Sequence, residues 1–103
     1  MYNVNNLMKQ AQKMQEDAAR AEQELLDMRI SASSGGGAVT AVVNGKKDLI
    51  GLSIQEGFDC SDAEMTADLV VAAVREAQAD ADRQADEVMK KVTAGMPHIP
   101  GLG

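Results

Sequence analysis

Residues 4–28 read VNNLMKQAQKMQEDAARAEQELLDM, and the spacing of their apolar positions decides the fold. Val4, Leu7, Ala11, Met14, Ala18, Ala21, Leu25 and Met28 follow one another by steps of three and four without a break. That is the a/d stripe of a helix that lies along another helix. The stripe is built mostly of Ala and Met, so a partner can come close. Its flanks, Lys9, Lys13, Glu16, Asp17, Arg20, Glu22 and Glu24, make a solvated face of mixed sign. Asn3, Asn5 and Asn6 precede it as candidate N-caps. At 1.5 Å per residue the helix is roughly 30–35 Å long.

Working outward, the period changes from Met28 on. Met28, Ile30 and Ala32 alternate with Arg29, Ser31 and Ser33, which predicts a first strand. Ser34-Gly35-Gly36-Gly37 follows. A triple glycine can cradle phosphate, but this one joins two strand patterns and opens no helix, so it is read as a tight hairpin with positive φ at one or more glycines. Ala38 to Val43 is the second predicted strand. Asn44-Gly45 then predicts a type I′ turn, which needs φ > 0 at both central residues. Lys46 to Gln55 is the third, with Ile50, Leu52 and Ile54 expected on a packed aliphatic face and Leu49, Gly51 and Ser53 on the other.

Phe58 is expected to plug the corner before the next helix. Ser61-Asp62-Ala63-Glu64 has the form of a capping box, with Ser61 accepting from Glu64. It opens a second helix expected from Asp62 to about Thr93. The first half, Met65, Leu69, Val70, Val71, Ala72, Ala73 and Val74, is densely apolar; the second thins to Ala77, Ala81, Gln84, Val88 and Val92. Ala94-Gly95 ends it. Residues 95–103 form a Pro/Gly tail, expected to be mobile, after a single domain over residues 1–94.

The predicted fold class is α+β: a long helix, a three-stranded antiparallel meander and a second long helix. Short connections make the helices pair antiparallel, with Leu7 near Val88 or Val92 and Leu25 nearer Leu69. At 103 residues with 2% aromatic content, such a chain cannot fill a thick core. A two-fold homodimer is expected to join two sheets, cover their edges and bury Val70, Val71 and Val74, leaving helical arms projecting from a central sheet.

In that order the motifs resemble the YbaB/EbfC family of bacterial nucleoid-associated proteins, over nearly the whole chain. The resemblance rests on Leu7-Met8-Lys9-Gln10-Ala11-Gln12-Lys13-Met14-Gln15, Gly35-Gly36-Gly37-Ala38-Val39, Val42-Val43-Asn44-Gly45 and Leu52-Ser53-Ile54. Asp68-Leu69-Val70-Val71-Ala72-Ala73-Val74 and Thr93-Ala94-Gly95-Met96-Pro97 extend it. It implies a small cytoplasmic dimer with arms shaped like tweezers, which binds duplex DNA, associates with the nucleoid and has no catalytic activity.

The net charge of −6 argues against a generic coat for polyanions. The basic residues are nevertheless uneven. Lys9 and Lys13 lie near the free end of the first helix, Lys90 and Lys91 near that of the second, and antiparallel pairing gathers all four at one arm tip near His98. Acids such as Glu16, Asp17, Asp80, Asp82 and Asp86 stay further back. These lysines, with Arg20 behind them, are the candidate contacts to double-stranded DNA. The plainer reading makes them solvating charges on a coiled-coil flank. Few cations predict weak, salt-sensitive binding, and without a base-reading module specificity falls to DNA shape.

The alternative is a protein-interaction module that grips a partner with Met- and Ala-rich arms such as Met8, Met14, Met28 and Met89. Catalysis is not expected. The one His lies in the tail, the lone Cys60 is read as an inert small residue, and no cofactor, metal cluster or membrane span is visible. A soluble protein of the cytoplasm and nucleoid is expected.

Overall fold

A computed structural model describes residues 4–94. Asn3, the tail of residues 95–103 with His98, and the side chain of Val92 lie outside the described residues. Five elements follow in order: α1 (Val4–Asp27), β1 (Ile30–Ser34), β2 (Val39–Val43), β3 (Leu49–Ile54) and α2 (Ala63–Ala94). The molecule is drawn out, with extents of 74 × 23 × 16 Å and a radius of gyration of 20.1 Å. A compact chain of this length has a radius near 13 Å.

The three strands form one antiparallel sheet in the order β1-β2-β3. Ile30 faces Val43, Ala32 faces Ala41 and Ser34 faces Val39. That row of side chains packs against α2, where Ala73, Ala77 and Ala81 are fully buried. Small residues on both sides let helix and sheet approach closely. The resulting core is thin, and Val39 and Val43 are the largest side chains buried completely. Phe58 packs against this core, as expected of the corner it occupies. On the opposite face Ser33 and Thr40 bond each other at 2.8 Å, a polar pair that water can reach.

The first hairpin turns as its glycines predict. Gly35, Gly36 and Gly37 all have positive φ, at 62°, 68° and 96°. Ser34 Oγ donates to the carbonyl of Leu69 at 2.5 Å, which ties this turn to α2. Leu69 therefore sits at the far end of β1 from α1. The expectation that Leu25 lies nearer Leu69 is corrected: Leu25 meets the other end of the sheet, where its carbonyl accepts from the Gly45 amide at 2.7 Å.

The second hairpin departs from the type I′ reading. Asn44 N–H donates to Asp48 O and Lys47 N–H to Asn44 O, so the loop has three residues, and Lys47 takes the positive φ of 70°. Gly45 serves for its size. A Cβ there would come within 2.9 Å of Leu25 O and Met28 Sδ. Asn44 is buried, and its Oδ1 accepts from the amides of Lys46 and Asp48. The strand that follows starts later than expected, at Leu49, and carries a register shift: Val42 faces Gly51 while Val43 faces Leu49.

That shift corrects the expected faces of β3. Leu49 joins Leu52 and Ile54 on the side of α2, and Ile50 becomes the extra residue of the bulge. None of the four is packed. Their exposures run from 42% to 51%, because α2 covers β1 and β2 and stops short of β3. Val70 and Val74 are partly buried against the chain's own core, while Val71 and Met65 stand exposed. The cap of α2 differs too. Asp62 takes the role given to Ser61: its Oδ1 accepts from Met65 N–H at 3.0 Å, while Ser61 N–H turns back to Asp59.

Candidate nucleic-acid interface

Where the helices leave the sheet, the turn at residues 44–47 is wedged between them. Lys46 Nζ reaches Glu22 of α1 at 2.5 Å, and Lys47 Nζ reaches Asp82 of α2 at 3.1 Å. Gln78 donates to the carbonyl of Lys47 at 3.2 Å. The Lys46 ammonium lowers the pKa of Glu22, and Glu22 raises that of Lys46. The sequence pattern places both lysines in the third strand, with Lys47 on its water-facing side. Two adjacent cations beside an Asn-Gly turn were the only signal, and their partners, Glu22 and Asp82, are remote in sequence.

Beyond this waist the helices pair as an arm. Ala21, Ala81 and Val88 are buried, although Val88 lies ten residues past Gln78 and so roughly 15 Å from the sheet. The antiparallel course follows from the waist, where α1 enters by its C-terminal end and α2 departs toward its own. Only part of the stripe is seated. Met14 is half-buried, whereas Val4, Leu7 and Met8 are 54–65% exposed.

Charge is segregated along the arm. All 16 acids fall from Glu16 to Glu87. The 15 residues before and the 16 after hold four lysines, Lys9, Lys13, Lys90 and Lys91, and no acid. The remaining six of the ten basic residues lie within the acidic span, which carries a net −10 against +4 for the two ends, giving the total of −6. Lys9, Lys13 and Lys91 make no ion pair with a described residue. Lys90 lies 3.3 Å from Glu87. Arg20, further back, lies 3.2 Å from Asp17 and is thus set among acids.

An open groove of about 500 Å³ on α1 is lined by Arg20, Gln23, Glu24, Asp27 and Met28. It places no nucleophile beside a base. Among the described residues no group of His, Cys, Asp and Glu is placed to hold a metal, and no helix is long and apolar enough to cross a membrane. Cys60 is exposed and free.

Residues 1–96 match the model of the YbaB/EbfC DNA-binding family. A nucleoid-associated protein of Acetivibrio thermocellus is 48% identical over 101 residues, 97% of this chain and 89% of that one. A protein of the same description from Caldanaerobacter subterraneus is 43% identical over 102 residues, 98% of this chain and 91% of the relative. An uncharacterized protein from Helicobacter pylori, 18% identical, has the same fold, with a TM-score of 0.74 over 90% of this chain and 99% of that one.

Proposed function

The chain belongs to the YbaB/EbfC DNA-binding family, and on that premise we propose that it is a nucleoid-associated protein of the cytoplasm that binds duplex DNA as a homodimer through the basic tips of its helical arms. The observation that carries this reading is the separation of charge, with four lysines and no acid in residues 1–15 and 88–103. A protein of net −6 can meet a polyanion only where its cations outnumber its acids. Lys9, Lys13, Lys90 and Lys91 make that contact, and Arg20 supports it from behind.

The homodimer is supported by what one copy leaves uncovered. Leu49, Ile50, Leu52 and Ile54 lie on an unpaired edge strand, with Met65 and Val71 exposed on α2. An aliphatic edge of this kind invites pairing with another strand, and a thin core needs added burial. Two copies meeting there leave their arms, and hence their tips, pointing away from the joint.

Such a site binds weakly and reads little sequence. It offers phosphate contacts, which position a protein without specifying bases. With at most ten assigned cations per dimer, log affinity falls with log salt by a slope no steeper than about −9. Catalysis forms no part of the proposal. The names of the relatives favour it over a protein-interaction module.

The test is a salt series of gel shifts on wild type and on Lys9→Glu/Lys13→Glu/Lys90→Glu/Lys91→Glu. Reversal of four charges per protomer should weaken binding by more than about a hundredfold at low salt. An unchanged affinity would overturn the tip as the binding site.

A further inference from the structure

Two of the five cations assigned to DNA already hold a carboxylate. Arg20 Nη2 lies 3.2 Å from Asp17 Oδ1, and Lys90 Nζ lies 3.3 Å from Glu87 Oε1. Each pair spans one helical turn on its own helix. The acids involved hold a particular place in the chain. Glu16 and Asp17 are the first acids after the basic end of α1, and Asp86 and Glu87 are the last before the basic end of α2. Both helices therefore change sign at the border of the tip, and on both helices an acid at that border is bonded to a cation.

We infer that Asp17 and Glu87 belong to an acidic collar that competes with DNA phosphate for Arg20 and Lys90, and so confines contact to the outermost turns of the arm. The inference rests on the DNA-binding reading and deepens it. A carboxylate at ion-pair distance uses the same N–H donors that a phosphate oxygen needs. An exposed pair of this kind is weak, so phosphate can displace it, but each displacement subtracts from affinity. The displaced carboxylate then stays beside the phosphate and repels it. This repulsion reaches about 8–10 Å at physiological salt. Lys13, one turn from Asp17, falls inside that range. Lys9, eight residues from Asp17 and so roughly 12 Å along the helix, falls outside it. The collar thus grades the cations, with Lys9 the freest and Arg20 the most restrained.

The test compares DNA binding by three full-length proteins over a salt series: wild type, Asp17→Asn/Glu87→Gln, and the control Glu24→Gln/Glu76→Gln. Both variants remove two negative charges per protomer, but the control acids are exposed and set back from the tips. Unchanged helical circular dichroism shows that the arms persist. The collar variant should bind about tenfold tighter at low salt, with a salt slope steeper by up to about four for a dimer, because two further cations per protomer become available. The control should stay within about twofold of wild type. A collar variant that binds no tighter than the control would overturn the inference. Weaker binding would also overturn it, by showing that the acids position Arg20 and Lys90 for DNA. If wild type shows no salt-dependent binding, the DNA-binding reading fails first, which is a separate result.

Discussion

The two ends of α1 carry the same apolar stripe and meet opposite surroundings. Near Leu25 the helix is held on several sides: its carbonyl accepts the Gly45 amide, Glu22 pairs with Lys46, and Leu25 and Met28 are half-buried. Near Leu7 the stripe is exposed, and Lys9 and Lys13 make no ion pair with a described residue. The difference separates two tasks. Polar bonding at the waist fixes the direction in which the arm leaves the sheet. The Leu7 end, which has no acid before Glu16, is the end proposed to meet DNA. A heptad pattern read alone gives no sign of this division, because the division lies in the charges beside the stripe and in what packs on it.

If the tip works only when a second tip stands opposite, the sheet end can break the comparison from a distance. Leu52→Lys/Ile54→Lys puts two charges on the exposed edge strand, at side chains outside the buried core cluster. The mass by light scattering should fall from dimer to monomer. DNA affinity should fall by about two to four decades as the avidity of paired tips is lost. A variant that stays dimeric would move the joint away from β3. One that is monomeric yet binds as tightly would show that a single tip suffices.

Gly45→Ala acts at the waist with a smaller effect. The added Cβ would meet Leu25 O and Met28 Sδ at 2.9 Å and Leu25 Cα at 3.0 Å, so α1 and the turn must separate. Overpacking of this kind costs about 1–3 kcal/mol, read as a lower urea midpoint with an unchanged slope. Unchanged stability would mean that the waist yields easily and does not set the direction of the arm.

Local patterns carried most of this fold, and contacts between distant segments carried the rest. The order of elements followed from the change of period at Met28 and the capping pattern at Ser61–Glu64. The glycine hairpin followed because three glycines in a row permit positive φ. Asn44-Gly45 misled for a physical reason: glycine serves both positive φ and close approach, and only the packing of Leu25 against the turn tells which. The faces of β3 misled because a bulge at Ile50 is set by pairing with β2, which its own alternation cannot report. The uneven placing of the lysines can be read from the sequence because charge needs no register to be seen, and their contact with DNA is the proposal made above. The pairing of Lys46 and Lys47 with the two helices was not, since Glu22 and Asp82 lie 24 and 35 residues away in the chain.

The smallest effect isolates the ionic part of the waist. Glu22 has a pKa lowered from 4.5 by the hydrogen bond and charge of Lys46. Its contribution is therefore in place above the ordinary carboxyl value and is lost as pH falls through the lowered one. Lys46 is raised above 10.5 by Glu22, so at the basic side the same contribution holds below the ordinary value and is lost as pH rises through the raised one. Both side chains are open to solvent, and the pair contributes little. In Glu22→Gln the urea midpoint should drop slightly at neutral pH, less so at high salt. The gap from wild type should close below the lowered value and above the raised one. DNA affinity at neutral pH should stay near wild type, because the change lies behind the collar. A gap that persists in acid would assign the effect of Glu22 to packing against the turn, and the waist would then be held by Gly45 and Lys47 without this ion pair.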